Sequence, residues 1–280
     1  MRNGLTVFLD ALRSVLSAPG TALRIVAAPS LVRLALAILA ERFLDPEMAG
    51  LPTLLLLADA ALVAVVAVGW HRYRLLDEAP RRFGPRFAPG RVAGYALRWI
   101  GLALGVGLLL MLGWVPLILL EYCCLPAGTL WELFLADEAA LLETGWWPLV
   151  VGGVIIWFYA WMFSRLAMGL PHFAVRTDID TREASWAMTA RLEPAVLVAS
   201  ALATLGTVTL WAPATLAHGL LPETWIYGYI PPEGSYETYR YSVWYLASEQ
   251  LCFTLQVIFG AAILTELYRD AKAAAEIPAG

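Results

Sequence analysis

Residues 95–120 read YALRWIGLALGVGLLLMLGWVPLILL, and Arg98 is the single charged residue in this stretch. A helix of about 20 mainly apolar residues crosses the hydrocarbon core of a bilayer. Stretches of similar character recur along the 280-residue chain, at 21–44, 51–70, 147–170, 195–217 and 244–268. We therefore predict an all-α fold: a polytopic transmembrane helical bundle of about six spans, forming a single transmembrane domain over residues 1–280.

The composition of the whole chain supports this class. Hydrophobic residues make up 60% of the sequence and charged residues 15%, whereas soluble domains have about 45–50% and about 25%. A compact soluble domain of this size has too little interior to hide that excess. The composition therefore argues against a soluble enzyme, a disordered protein and a nucleic-acid binder.

The positions of the basic residues predict the orientation of the spans. With six spans and the N-terminus inside, sixteen of the nineteen Arg and Lys residues fall in cytoplasmic ends and loops, and Arg42 and Arg240 fall outside. Basic residues are enriched on the cytoplasmic side of membrane proteins. We expect an N-in, C-in, multi-pass protein of the bacterial inner membrane, since Lys272 is the only lysine and such Arg usage is typical of GC-rich bacterial genomes.

Three segments outside the spans have a pattern of their own. Residues 1–19 carry apolar side chains at helical spacing and end at Pro19-Gly20, which predicts an interfacial amphipathic helix or else an extension of the first span. Residues 121–145 predict a short amphipathic helix on the outer surface. The tyrosine-rich residues 218–242 predict a loop with little regular structure, which either anchors in the headgroups or docks a partner.

Two ionisable residues fall inside predicted spans. Asp59 lies ~13 Å below the outer end of the second span, and Arg33 lies ~18 Å above the inner end of the first, at 1.5 Å per residue. In a hydrocarbon layer ~30 Å thick these depths nearly coincide. We expect an Arg33–Asp59 ion pair. The alternative is a first helix that begins nearer Pro29, from which Arg33 reaches the cytoplasm.

The last predicted span has a polar side near its outer end, which includes Glu249 and Gln250 together with Ser248, Thr254 and Gln256. Such side chains either make hydrogen bonds between helices or line an outward-open cavity. Near the other end of this span, we expect Glu266 to reach the cytoplasmic interface.

Three arginines end predicted helices at the inner face: Arg72, Arg74 and Arg165. Phosphate headgroups and helix C-termini both favour cations there, so these residues are candidates for headgroup binding. The sequence contains none of the common hydrolase, nucleotide-binding or metalloprotease motifs. We therefore assign no catalytic residue, no metal ligand and no cofactor.

Four short stretches resemble a known group of proteins. Residues 70–76 read WHRYRLL, residues 164–171 read SRLAMGLP, residues 184–189 read ASWAMT, and residues 18–24 read APGTALR. They resemble motifs of uncharacterised proteobacterial polytopic inner-membrane proteins, which are YciC-like or similar to the glycerophosphodiesterase membrane domain. The group's "A-W-x-x-T" pattern is interrupted here by a serine within residues 184–189. The resemblance implies an all-helical membrane domain and carries over no catalytic residue.

These patterns favour a non-enzymatic membrane protein that organises the membrane or serves as an accessory subunit. Its expected partners are membrane lipids and either a second copy of itself or a larger membrane complex, with no nucleic acid. The main alternative is a transporter of a small or lipid-like solute that uses Asp59 and Glu249, and a third is a lipid-modifying membrane enzyme. A continuous polar cavity that reaches Asp59 would favour transport.

Overall fold

The computed structural model describes residues 2–43, 51–81, 89–124, 147–175, 189–190, 192–220, 227–229 and 240–275. Within these residues the chain forms eight helices and one short β-ribbon. The helices are α1 (Gly4–Leu16), α2 (Pro19–Phe43), α3 (Leu51–Leu76), α4 (Pro89–Cys124), α5 (Trp147–Ala167), α6 (Gly169–Val175), α7 (Glu193–Leu220) and α8 (Val243–Ala275). The strands are β1 (Tyr227–Tyr229) and β2 (Arg240–Tyr241).

Four of these helices are long and apolar enough to cross a membrane. The four apolar segments are Pro19–Ala40, Leu56–Leu76, Pro89–Leu109 and Val243–Ala274, and α7 adds a shorter one at Glu193–Thr207. The helical fold class is therefore confirmed, and the apolar helices indicate a membrane protein with several spans. Long helices α2, α3, α4, α5, α7 and α8 occupy the six predicted stretches, and the count of six spans stays a prediction.

One predicted boundary is wrong for a clear reason. The fourth stretch was expected to continue to residue 170, but α5 ends at Ala167 and α6 starts at Gly169. Pro171 has no backbone N–H to donate to the carbonyl of Ala167, and its ring would clash with that carbonyl in a continuous helix. The helix is therefore interrupted at Met168, and the chain continues as the separate helix α6, most of whose residues are buried.

Helix α8 is the centre of the bundle. It packs against α1, α2, α3, α6 and α7, and every residue from 261 to 268 is buried. Small residues such as Ala261 and Ala262 contribute to this buried stretch, and small side chains let helices approach closely in membrane proteins. Many of the polar contacts between helices therefore involve α8.

The two ends of the described chain meet at one end of the bundle. The guanidinium of Arg2 contacts the carboxylate of Asp270, near the end of α8. Arg74, at the end of α3, contacts Glu266 in the same region. We call this the basal end. Because α3 ends there, α2 runs away from the basal end and α3 runs back to it.

Helix α1 is separate from α2 and has three distinct sides. The side chain of Asn3 caps it by accepting a hydrogen bond from the backbone N–H of Thr6 at 2.8 Å. Its buried side consists of the mainly small residues Gly4, Val7, Ala11 and Ser14, and it packs on α7 and α8. Its bulkier leucines, Leu5, Leu9 and Leu16, are exposed. The third side is polar and includes Asp10 and Arg13.

Gly4 lies where α1 packs closely against α7. A Cβ atom at this position would lie 2.6 Å from the carbonyl oxygen of Ala195 and 2.8 Å from the backbone nitrogen of Ala199. These are backbone atoms, so they have no freedom to move aside as a flexible side chain would. Only glycine therefore permits the observed docking of α1 on the first turns of α7.

The two predicted outer loops differ in what the structure describes. Residues 125–146, which hold most of the expected surface helix, lie outside the described residues. The tyrosine-rich loop contains an antiparallel ribbon in which Tyr227 pairs with Tyr241 and Tyr229 with Arg240. The prediction of little regular structure is therefore wrong for β1 and β2. Neither strand has the alternation of apolar and polar residues that would have indicated it in the sequence.

Candidate functional site

The predicted ion pair inside the bundle is present. Arg33 Nε donates to Asp59 Oδ1 at 2.7 Å, and Arg33 Nη2 donates to Asp59 Oδ2 at 3.0 Å. This two-pronged contact uses the planar guanidinium in its strongest geometry with a carboxylate. It joins α2 to α3, and α2 begins at Pro19 and continues through Pro29. The alternative, in which the helix starts nearer Pro29, is wrong.

The ion pair extends to α8 through Gln250. The third guanidinium nitrogen of Arg33, Nη1, donates to Gln250 Oε1 at 2.5 Å. Gln250 Nε2 then donates to Thr254 Oγ1 at 3.2 Å, and Ser30 Oγ lies 2.8 Å from the same hydroxyl. We call Ser30, Arg33, Asp59, Gln250 and Thr254 the middle cluster. Its side chains link the three helices α2, α3 and α8.

The middle cluster is closely packed. The guanidinium carbon of Arg33 lies 3.7 Å from the centre of the Phe253 ring. This is a cation–π contact, in which the plane of the guanidinium is close to the aromatic ring while its nitrogens make the hydrogen bonds. The adjacent cavity, lined partly by Arg33 and Gln250, has a volume of about 10 Å³. That is close to the smallest volume that holds one water molecule. Among the described residues, this cavity has no room for a larger solute.

Glu249 and Gln250 are neighbours in sequence but differ in environment. Gln250 is buried and bonded to Arg33, whereas Glu249 is partly exposed and forms no ion pair with another described residue. The predicted hydrogen bonds between helices are therefore present for Gln250. A role for Glu249 stays a prediction.

A fully buried histidine lies closer to the basal end. His71 Nδ1 is 2.8 Å from Thr265 Oγ1, and His71 Nε2 is 3.2 Å from Tyr95 Oη. Thr265 donates its hydroxyl hydrogen to the carbonyl of Ala261 at 2.7 Å, so it accepts from His71. The hydrogen bonds thus assign the proton of a neutral imidazole to Nδ1, with Tyr95 donating to Nε2. This chain of contacts ties α3, α4 and α8 together.

A larger ionic network closes the basal end. It contains the three cations Arg2, Arg74 and Arg269 and the three anions Asp10, Glu266 and Asp270, which we call the basal network. The carboxylate of Glu266 is only 4% exposed and contacts all three arginines, at 3.3 Å, 3.1 Å and 3.2 Å. Glu266 is therefore buried, and the expectation that it reaches the interface is wrong, because three arginines neutralise it inside the bundle.

Arg2 is the residue that brings the first helix into this network. Its guanidinium contacts Asp270 at 2.6 Å, Asp10 at 2.8 Å and Glu266 at 3.3 Å. The hydrogen bond with Asp270, helped by the one with Asp10, raises the pKa of Arg2 above its usual range. These contacts therefore favour the charged form of Arg2.

The three arginines predicted to bind headgroups contact acceptors of this chain. Arg72 contacts Glu78 and donates to the carbonyl oxygen of Ala174 at 3.1 Å. Arg165 is buried and forms a 3.0 Å ion pair with Glu193, while Arg74 belongs to the basal network. Headgroup binding by Arg72, Arg74 and Arg165 stays a prediction, and the internal partners make these residues helix-to-helix ties.

The described residues offer no site with the features of a metal centre. Among them, no group of three or more His, Cys, Asp or Glu residues could hold a metal ion. His172 contacts the hydroxyl of Tyr268 at 2.8 Å and so joins α6 to α8. Like the polar side chains of the middle cluster and the basal network, His172 therefore connects two helices.

Comparison of the chain with protein-family models, with curated proteins and with solved structures finds no match. The resemblance to YciC-like proteins therefore stays a prediction.

Proposed function

We propose that this chain is a non-enzymatic protein of the bacterial inner membrane that organises the membrane or acts as an accessory subunit. It crosses the bilayer six times, and both ends of the chain lie in the cytoplasm. Its partner is a second copy of itself or a larger membrane complex. In such a protein the polar side chains of the bundle have a structural role, because they hold the helices in fixed positions relative to one another.

The orientation is supported by two independent observations. Sixteen of the nineteen basic residues fall on one side of the membrane in this arrangement, as expected for the cytoplasmic side. The contact between Arg2 and Asp270 joins both ends of the described chain at the basal end. This contact supports an even number of crossings between the two ends.

The observation that carries the proposal is the closure of the middle cluster. All three nitrogens of the Arg33 guanidinium are bonded, two to Asp59 and one to Gln250. The neighbouring cavity of about 10 Å³ is too small for a solute beyond a single water. A transport site needs groups that bind and release a solute, whereas these groups are bonded to each other. The arrangement therefore favours a structural role over transport.

The test is extraction of the tagged full chain from its native membrane into copolymer discs, followed by mass measurement of single particles and quantitative peptide analysis. We expect a second polypeptide, or a second copy of the chain, in a fixed ratio. The matched control is the double variant Arg33→Gln with Asp59→Asn, which removes both charges of the middle cluster. Its partner ratio should equal that of the unmodified chain.

A different result would contradict the proposal. If the particle is a lone chain that carries a defined solute, and if the double variant loses that solute, the middle cluster is a transport site. A partner that leaves under mild salt washing would also count against a stable accessory complex.

A further inference from the structure

Three arginines surround the end of the short helix α6. Arg72 Nη1, on α3, and Arg91 Nη1, on α4, each donate to the carbonyl oxygen of Ala174 at 3.1 Å. The guanidinium carbon of Arg98, also on α4, lies 3.8 Å from the centre of the ring of Phe173, the preceding residue of α6. We call Arg72, Arg91 and Arg98 the arginine cluster. Two of its cations contact one oxygen atom and the third contacts the neighbouring residue, so the three positive charges lie close together.

One side of α4 brings two of these arginines to α6. Arg91, Gly94 and Arg98 follow one another at spacings of three and four residues, which places them on the same side of the helix. A Cβ atom at Gly94 would lie 2.6 Å from Cζ of Phe173, so the glycine lets this ring pack against α4. Arg98 Nη1 donates to the carbonyl oxygen of Gly94 at 3.3 Å. The side chain of Arg98 therefore points back along the helix, toward Arg91.

The charge of the arginine cluster is not balanced by the described residues. Arg72 forms an ion pair with Glu78, whereas the partly buried Arg91 and Arg98 contact only carbonyl oxygens and an aromatic ring. The other arginines with buried or partly buried side chains in the described part of the chain each have a carboxylate partner: Arg2, Arg33, Arg72, Arg74 and Arg165. The carbonyl end of a helix supplies only about half a negative charge. Because enclosed charges need compensation, Arg91 and Arg98 need an anion.

The position of the arginine cluster indicates which anion is available. Helix α6 lies near the basal end, where His172 contacts Tyr268 of α8. The apolar segment of α4 begins at Pro89, and Arg91 lies two residues later, ~3 Å along the helix axis. If α4 crosses the bilayer, this is the level of the lipid phosphates. Planar guanidinium groups suit the oxygens of a phosphate, which accept paired hydrogen bonds.

We propose that Arg91 and Arg98 bind the phosphate group of an anionic phospholipid at the basal end. Arg72 adds positive charge to the site while it stays paired with Glu78. A zwitterionic lipid carries its own cation beside the phosphate, which the second arginine repels, so the site selects a lipid with a purely negative headgroup. This site does not depend on the accessory role proposed above, because it uses no residue of the middle cluster and binds a lipid rather than a protein.

The first experiment measures which lipids stay bound to the full chain. The protein is reconstituted in vesicles with equal amounts of phosphatidylglycerol and phosphatidylcholine that carry the same acyl chains. It is then extracted in mild detergent and delipidated stepwise, and the bound lipids are counted by native mass spectrometry. We expect the unmodified chain to retain one phosphatidylglycerol. Each arginine near the phosphate favours the anionic lipid about fivefold, so the preference should be about 25-fold. Equal retention of the two lipids overturns the proposal.

A second experiment separates a lipid phosphate from a free one. The delipidated chain is titrated with inorganic phosphate in detergent, and binding is measured by calorimetry. We expect no binding, because a free phosphate lacks the acyl chains that hold a lipid beside the bundle. Binding of inorganic phosphate by a chain that retains no phosphatidylglycerol would overturn the assignment to a lipid and make a soluble phosphate compound the ligand.

The variants test the two arginines themselves. Arg91→Gln with Arg98→Gln keeps a hydrogen-bond donor at each position but removes both charges, and it should bind the two headgroups equally. Arg91→Lys with Arg98→Lys keeps both charges and should keep most of the preference. The control is Arg24→Gln, an exposed arginine on the first turns of α2, which should change nothing. An unchanged preference in the double glutamine variant overturns the proposal. If that variant does not fold, Arg98→Gln decides, since it should lower the preference about fivefold, and an unchanged preference there overturns the proposal as well.

Discussion

The middle cluster and the basal network both lie against α8, and they handle buried charge in different ways. In the middle cluster one carboxylate, Asp59, meets one cation, Arg33, and the carboxylate side chain remains 36% exposed. In the basal network the Glu266 side chain is 4% exposed and contacts three cations. The comparison indicates that the carboxylate enclosed by protein is matched by more cations, because a charge enclosed in this way is stable only when it is fully compensated.

The two regions also differ in the distance along the chain that they connect. Arg33 and Asp59 are 26 positions apart and lie on consecutive helices. Arg2 and Asp270 are 268 positions apart. The middle cluster therefore holds neighbouring helices, whereas the basal network closes the whole described chain. Removing a charge should accordingly have unequal effects in the two regions.

The largest effect is expected for Glu266→Gln. This change leaves Arg74, whose Nε is buried, with no carboxylate partner among the described residues, and it removes one partner each from Arg2 and Arg269. Breaking a buried ion pair costs about 3–5 kcal/mol. We expect the free energy of unfolding in mixed micelles, measured by denaturant titration, to fall by about 4 kcal/mol. Glu249→Gln, on the same helix, is the control and should change it by less than about 0.5 kcal/mol. Equal losses in the two variants would disprove the central role of Glu266.

A smaller effect is expected in the middle cluster. Arg33→Ala and Asp59→Ala should each lower the free energy of unfolding by about 2 kcal/mol, less than Glu266→Gln because each change takes the partner from one charge rather than from three. The double variant should recover part of the summed loss, with a coupling of about 1 kcal/mol. The same denaturant titration measures all three variants. Additive losses would show that the two charges act independently.

Gly4→Ala separates the docking of α1 from the charges of the basal network. The added methyl group clashes with the backbone of α7, and overpacking of this kind costs about 1–3 kcal/mol. We expect about 1.5 kcal/mol, together with faster hydrogen exchange in α1 and unchanged exchange in α2. Gly20→Ala has open space at its Cβ position and serves as the control. Unchanged exchange in α1 would mean that the close contact with Ala195 is not needed.

The smallest effect is expected between the two regions, at His71. Thr265→Val removes the acceptor for the Nδ1 proton and should cost about 1 kcal/mol, the usual net value of one hydrogen bond. Tyr95→Phe removes the donor to Nε2 and should cost a similar amount. The proton assignment itself is measured from the nitrogen chemical shifts of His71. A proton on Nε2 in the unmodified chain would reverse the direction of the hydrogen-bond chain.

The sequence was sufficient to predict the Arg33–Asp59 pair of the middle cluster because the two charges lie on adjacent helices. Helix length and residue spacing fixed the depths of Arg33 and Asp59, and their helices follow one another in the sequence. Gln250 was identified as polar, but its partner was not, because its helix is more than 200 residues further along. Spacing within a helix predicts which residues share a side, and it does not predict which distant helix covers that side.

The basal network was missed for the same physical reason. Glu266 was placed at the interface because a carboxylate near a helix end usually reaches water, and nothing local shows that Arg2 and Arg74 arrive there. The docking side of α1 was also missed, since the leucines dominate its apolar pattern. A weaker signal was available in Gly4, Val7 and Ala11, whose spacing places mainly small side chains on one side of the helix.

The docking of α1 has a consequence for the order in which the protein is made. Helix α1 is synthesised before the other described helices, while its partners α7 and α8 are synthesised after the other described helices. At about 5–20 residues per second, the 268 positions between Arg2 and Asp270 take roughly 10–50 seconds to translate. During that interval the surfaces of α7 and α8 on which α1 packs are not yet present, and we expect the exposed leucines of α1 to hold it at the membrane surface. The packing of α1 into the bundle therefore has to wait until α8 has been synthesised.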